Sequence, residues 1–133
     1  MELCFADVGQ GSSTIVLLGA RRALVVDAGG KQALTVIRLL QHFQIESIER
    51  LIITHNHEDH SRGAAEVLTA FSKRIGQVWC VFDDVLLNSF FWRRLTEEVN
   101  LQRLRREQIM RLERDERPRS VFNDGDAFLD VIA

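Results

Sequence analysis

Leu51-Ile52-Ile53-Thr54-His55-Asn56-His57-Glu58-Asp59-His60 joins an apolar segment to three of the chain's four histidines. An apolar strand that ends in a polar loop puts those side chains at the strand's carboxyl edge, where open α/β sheets form ligand sites. If the strand direction persists through Asn56, alternation places His55 and His57 on the same side. Imidazole suits zinc, copper, iron and nickel, and carboxylate extends the choice to manganese. The stretch therefore predicts a metal site, with a solvated histidine-rich loop as the alternative.

The end of this run adds ligands from a second direction. Asp59 and His60 follow the turn, so they can approach a position next to the one that His55 and His57 approach. That arrangement is the geometry two adjacent metal ions need. The fourth histidine, His42, lies within an amphipathic segment, and we predict that it is a plain surface residue.

Length and composition predict one domain over residues 1–133, large enough for a hydrophobic core. The net charge of −2 demands neither a nucleic-acid nor a membrane partner. Cys4 and Cys80 each lie in an apolar, strand-like run, which predicts buried free thiols rather than a disulfide. No secretory signal or membrane-length apolar segment is evident, so a cytoplasmic location is expected.

Hydrophobic periodicity predicts an α/β fold with a mixed sheet. Three short apolar runs separated by tight turns open the chain and indicate an antiparallel meander. Helical spacing and further apolar runs then alternate, which indicates an α/β layer packed beside the meander. The predicted strands are 3–8, 14–18, 22–27, 51–54 and 78–82, and the predicted helices are 31–44 and a segment over Ala64–Phe71.

The last third of the chain is predicted as one long helix followed by a hairpin. The helix runs from Asp84 to about Glu116, and its second half is rich in Arg and Glu, which is typical of a solvated helix. A cationic face for a phosphate backbone is the alternative, and the interspersed Glu residues count against it. Two short strands, Ser120–Phe122 and Ala127–Ile132, then flank the turn at Asn123–Asp126. Trp79 and Trp92 are predicted core residues.

Two motifs give the chain a family resemblance. The run from His55 to His60 resembles the HxHxDH pattern of the metallo-β-lactamase superfamily, and Asp27, before Ala28-Gly29, resembles the motif that precedes it. Asp7-Val8-Gly9-Gln10-Gly11 is similar to the DVGQG signature of the hydrolase domain in ComEC competence proteins and their soluble relatives. The resemblance implies an αββα sandwich with a dinuclear site for two divalent ions, zinc first and manganese second.

Residue roles follow from the motif positions. The resemblance implies that His55 and His57 hold one metal, that Asp59 and His60 hold the second, and that Asp27 orients the histidine run. Asp59 would also be the catalytic residue, because a metal-bound carboxylate that touches the bridging water can orient that nucleophile.

The signature near the amino terminus implies a supporting role. Asp7 and the turn Gly9-Gln10-Gly11 would lie close to the site, where glycines permit a tight backbone approach. Many relatives continue this signature with aspartate, whereas this chain has Ser12.

The resemblance covers the amino-terminal half of the family's domain. No histidine follows His60, and one metal would have two protein ligands where zinc sites use at least three. Asp126, in Asp124-Gly125-Asp126, is a weak candidate for the missing bridging ligand. A half sandwich would leave an apolar face and a strand edge uncovered, which favours self-association or a partner chain. The sequence fits a fragment, a natural truncation, or a chain completed by a partner.

The predicted function is metal-dependent hydrolysis. Phosphodiesters of nucleic acid are the expected substrate of the parent enzyme, and this short chain could itself be inactive. One alternative is a catalytically dead metal-binding or interaction module. Another is a hydrolase of small esters, thioesters or lactones.

Overall fold

The computed structural model describes residues 1–30, 33–55, 57–81, 93, 97, 109–112, 119–123 and 128–131. In these ranges the chain forms a six-stranded sheet whose strands lie in sequence order, and a separate two-stranded hairpin. The sheet consists of β1 (Glu2–Phe5), β2 (Thr14–Gly19), β3 (Arg22–Val26), β4 (Ser47–Ile53), β5 (Ile75–Val81) and β6 (Ile109–Leu112); the hairpin is β7 (Arg119–Asn123) with β8 (Phe128–Val131); the helices are α1 (Ala33–His42), α2 (Glu58–Ser61) and α3 (Ala64–Ala70).

The mixed sheet agrees with the predicted fold class. β1, β2 and β3 pair antiparallel, which confirms the opening meander. β3, β4, β5 and β6 pair parallel, and helices connect β3 to β4 and β4 to β5. Because parallel strands need such crossovers, the change from short turns to helical segments in the sequence marks the change in strand direction.

The main core lies between one face of the sheet and the helices α1 and α3. Val36 and Leu40 of α1 and Leu68 of α3 are fully buried there, and each such side chain contributes about 1.5–3 kcal/mol by leaving water. None of the helices in the described ranges has the length and apolar character that a membrane crossing requires. Sheet residues of this core include Ile15, Ala23, Val25, Ile48, Leu51, Ile53, Val78 and Cys80.

The opposite face of the sheet is apolar as well. Val16, Leu24, Ile52 and Trp79 alternate with the core residues and are at most 5% exposed, which confirms Trp79 as a core residue. Central parallel strands are buried on both faces, so they read as continuous apolar runs. Exposure rises toward β1 at one edge of the sheet, where Phe5 is 77% exposed.

The prediction of one helix over residues 84–116 is wrong at Ile109–Leu112, which form β6. β6 pairs with β5 in parallel register from Val78↔Ile109 to Val81↔Leu112. Because strand formation depends on pairing with a neighbour more than on local propensity, a helical pattern in the sequence did not reveal it. Arg93 and Glu97 are helical, and Trp92 lies outside the described residues. The predicted carboxyl-terminal hairpin is confirmed by β7 and β8.

β4 and β5 also begin earlier than predicted. Their first residues are Ser47 and Ile75, and polar side chains at these amino-terminal ends bond across the sheet. The Nε of Arg50 donates to Oε1 of Gln77 at 2.8 Å, and Arg22 pairs with Glu49 at 2.8 Å. The sequence analysis located strands by their apolar runs. It therefore left out these polar residues, whose partners lie on other strands.

The two cysteines are free, and their environments differ. Cys80 is 3% exposed in the core, whereas Cys4, predicted to be buried, is only half-buried because β1 lies at the sheet edge. Three strands separate β1 from β5, a span of about 19 Å at the usual strand spacing, which no disulfide bridges.

We expect Cys80 to resist alkylation in the folded protein and Cys4 to react. Burial raises the pKa of the Cys80 thiol from 9.0 to about 12, so folding disfavours the thiolate that attacks the reagent. Below pH 9 the thiol is neutral in both states and does not affect the free energy of unfolding. As pH rises from 9 toward 12 the free energy of unfolding should fall, because the unfolded chain loses a proton that the folded chain retains. Iodoacetamide labelling read by peptide mass spectrometry tests this, and equal labelling of both cysteines at pH 8 would contradict it.

Candidate metal centre

Three loops meet at one edge of the sheet and carry the predicted site residues. Residues 27–30 follow β3 and residues 54–57 follow β4, and these strands are parallel, so their carboxyl ends lie side by side. Residues 6–13 join β1 to β2 at the same edge, because Thr14 pairs with Val26. The antiparallel meander and the parallel strands therefore bring the loops that contain the separate sequence motifs together at this edge.

Asp27 contacts both ends of the histidine run, through Thr54 and His60. Its side chain is buried and accepts hydrogen bonds from the Thr54 N–H at 2.8 Å and from the Thr54 hydroxyl at 2.7 Å. Nδ1 of His60 lies 2.7 Å from Oδ2, the same carboxylate oxygen that accepts from the Thr54 hydroxyl. The backbone at Asp27 is left-handed, with φ +59°, a conformation that aspartate tolerates better than most residues.

The contact with Asp27 fixes the tautomer of His60. A carboxylate only accepts hydrogen bonds, so Nδ1 of His60 carries the proton and Nε2 of the neutral ring has a free lone pair. Such a carboxylate–histidine pair is how proteins orient metal-binding imidazoles. His60 is therefore prepared to act as a ligand through Nε2.

A carboxylate close to that nitrogen belongs to Asp59. Oδ2 of Asp59 lies 3.6 Å from Nε2 of His60. Two ligands of one tetrahedral zinc, each bonded at about 2.0–2.1 Å, are separated by about 3.4 Å. The spacing of this pair fits a shared ion.

His55 and His57 lie beside this pair and are exposed. The ring of His55 is centred 6.0 Å from that of His57 and 4.8 Å from that of His60. Across the ranges that the structure describes, no three His, Cys, Asp or Glu side chains converge on one point closely enough to bind an ion. The donor types fit a divalent metal, although the described side chains do not form a closed three-ligand set.

A short helix, α2, carries Asp59 and His60. α2 begins after His57, whose carbonyl accepts hydrogen bonds from the N–H groups of His60 and Ser61 at 3.0 and 2.9 Å. The Ser61 hydroxyl donates to the same carbonyl at 2.9 Å. The sequence analysis treated this run as a loop, because four helical residues are too few to show a periodic pattern.

The loop before β2 supplies the supporting residues. The Asp7 carboxylate accepts a hydrogen bond from the Gly9 N–H at 3.1 Å, which closes the turn that carries Gln10. Gln10 lines a cavity of about 270 Å³ together with Gly30, Glu58, Asp59 and Arg62. This cavity opens beside the Asp59 carboxylate, so a substrate group could approach the site from there.

Two remaining sequence predictions concern Asp126 and His42. Asp126 lies outside the described residues, so its candidacy as a ligand stays a prediction. His42 is the exposed last residue of α1 and packs edge-on against Phe43, with ring centroids 5.3 Å apart, which confirms it as a surface residue. Thr54 is a site residue that the sequence analysis missed, and its position between the strand and His55 is the signal that could have found it.

Comparison with known proteins identifies the family of the chain and solved structures with a similar fold. The family described as the metallo-beta-lactamase superfamily matches residues 6–126. Among solved structures, the crystal structure of the short form of human tRNase Z is similar at 18% sequence identity, with a TM-score of 0.49, over 94% of this chain and 56% of that chain. The chain thus spans little more than half the length of this solved relative. No curated protein matches the sequence.

Proposed function

The chain belongs to the metallo-β-lactamase superfamily, and from this premise we propose that it is a metal-dependent phosphodiesterase domain of the ComEC-like branch. The contact between Asp27 and His60 carries the proposal, because a buried carboxylate that leaves Nε2 free is the usual support of a metal-binding imidazole. The histidine run at the carboxyl end of β4 supplies the remaining donors.

Four side chains would hold two divalent ions. His55 and His57 would hold one, and Asp59 and His60 would hold the other, with zinc the first candidate and manganese the second. A bound divalent ion would lower the pKa of a coordinated water to about 7. Asp59 would act as the catalytic residue, since it lines the cavity and its carboxylate can accept a proton or hydrogen bond from a water there.

The phosphodiester substrate rests on the Asp7–Gly11 signature. This turn places Gln10 at the cavity beside Asp59, where its amide N–H groups can donate to phosphoryl oxygens. Arg62 lines the same cavity, and its side chain offers a cation for a phosphate. Glu58, 3.7 Å from Arg62, moderates that charge, so we expect a monoanionic diester to be accepted better than a dianionic monoester.

We expect the purified chain to hydrolyse bis(p-nitrophenyl) phosphate when loaded with zinc or manganese, and to lose that activity when a chelator removes the metal. p-Nitrophenyl phosphate, a thioester and a lactone serve as matched substrates in the same buffer. Absorbance follows the release of nitrophenolate from the two phosphate esters, and titration of the released acid follows hydrolysis of the thioester and the lactone. Asp59→Ala should abolish diester hydrolysis, and the control His42→Ala should not.

The rival functions have distinct outcomes. Cleavage of the thioester or lactone without cleavage of the diester would assign the fold to a small-substrate hydrolase. Bound metal without turnover of any substrate would favour a metal-binding or interaction module. Diesterase activity that appears only in a dimer, or only after a partner chain is added, would support the predicted self-association or partner chain. Molar mass in solution distinguishes these two cases.

A further inference from the structure

The main chain of Asp59 is held by residues far from it in sequence. Its carbonyl accepts a hydrogen bond from the Ser12 N–H at 2.8 Å, and the Ser12 carbonyl accepts one from the Gly29 N–H at 2.9 Å. The next residue, His60, uses its carbonyl to accept from the Ala28 N–H at 2.8 Å. Backbone hydrogen bonds therefore join all three loops of the site around Asp59.

Glycines make this approach sterically possible. A Cβ at Gly29 would lie 1.6 Å from the carbonyl oxygen of Asp59, and one at Gly11 would lie 2.7 Å from the same oxygen and 2.4 Å from the Gly30 nitrogen. Real Cβ atoms do not approach other heavy atoms so closely. A side chain at either position must therefore displace Asp59 or open the loops.

We propose that Gly11, Gly29 and the Ser12 N–H form a backbone clamp that positions Asp59. The clamp fixes the carbonyl of Asp59, and with it the Cα from which the carboxylate reaches toward Nε2 of His60 at 3.6 Å. Metal ligands need placement within about 0.5 Å, so a shift of the main chain weakens the pair. Ser12 acts through its main chain, so the contact does not depend on the side chain at this position.

The clamp deepens the proposed metal site and rests on it, yet its geometry can be tested in metal-free protein. We expect the Ser12 amide to exchange with solvent at least about 100-fold more slowly than in an unstructured peptide, because it is hydrogen-bonded inside the loop cluster. In Gly11→Ala, the Ser12 amide should exchange at least about tenfold faster, and the amide NMR signals of Asp59 and His60 should shift.

Metal binding provides the readout that a merely destabilised fold would not change. Gly11→Ala should bind one of two zinc equivalents at least about tenfold more weakly and should alter the absorption spectrum of the cobalt-substituted protein. Gly19→Ala is the control, because Gly19, the last residue of β2, has φ +81° but no atom within 4 Å of an added Cβ. Alanine is strained at a positive φ at both positions (φ +154° at Gly11), but only at Gly11 does its Cβ meet the loops of the site, so the cobalt spectrum of Gly19→Ala should equal that of the wild type.

Either measurement can overturn the clamp. If the Ser12 amide of the wild type exchanged as fast as in an unstructured peptide, the clamp would be wrong, even if Gly11→Ala failed to fold. The clamp would also be wrong if a folded Gly11→Ala variant kept the wild-type amide NMR signals of Asp59 and the wild-type zinc affinity. If wild-type protein binds no metal, the proposed function fails, while the amide exchange and the NMR shifts still decide whether Asp59 is clamped.

Discussion

Replacing Asp27 with alanine is expected to weaken zinc binding by about 10- to 100-fold and to lower the free energy of unfolding by about 3–5 kcal/mol. Asp27 is 3% exposed and accepts three hydrogen bonds, two from Thr54 and one from His60. Alanine would leave these donors buried without acceptors and would strain the left-handed backbone at φ +59°. Isothermal titration with zinc and urea denaturation of the metal-free protein measure the two effects.

Asp27→Asn separates orientation of the ligand from stability of the fold. Asparagine tolerates the left-handed backbone, and its amide oxygen can still accept from the Thr54 N–H. Its other end donates rather than accepts, so it cannot hold Nδ1–H of His60. We expect Asp27→Asn to lose about 1–2 kcal/mol of stability and nearly as much zinc affinity as alanine. Wild-type zinc affinity in this variant would mean that Asp27 supports the fold and leaves His60 unaffected.

The sequence predicted the parts of the site that lie together in the chain. The donors from His55 to His60 fall within six residues, and an apolar strand before them places them at a sheet edge without further information. Asp27 was assigned because the strand that ends there, before Ala28-Gly29, resembles a motif of the family, and its contact with His60 is consistent with the orienting role that the resemblance implies. Closely spaced strands joined by short turns predicted the meander, and the alternation of strands with helices predicted the α/β layer.

The features that the sequence did not predict depend on contacts between distant segments. β6 becomes a strand by pairing with β5, although its own residues lie in a helical pattern. The clamp on Asp59 joins residues 12 and 59 through main-chain atoms, which leave no mark on residue type except the glycines that permit it. Gly11 and Gly29 look like ordinary turn residues until the loop that packs against them is known.

His57→Ala and Asp59→Ala are each expected to remove about one metal ion per chain from a wild type that holds two. The proposed ligand sets place His57 with His55 and Asp59 with His60, so each substitution should leave the other set intact. Both residues are exposed, and the free energy of unfolding of the metal-free protein should change by no more than about 0.5 kcal/mol. Elemental analysis together with molar mass in solution gives the number of ions per chain.

The same chain offers matched controls for both substitutions. Glu58→Ala removes the carboxylate adjacent to Asp59, an exposed group that pairs with Arg62, and His42→Ala removes the histidine at the end of α1. Both controls should keep the wild-type metal content, because neither residue belongs to a proposed ligand pair. If Asp59→Ala and Glu58→Ala lost metal equally, the carboxylates would act only as general negative charge. Unchanged metal content in both His57→Ala and Asp59→Ala would remove the assigned site altogether, because the remaining donors would then have to bind the ions without these two residues.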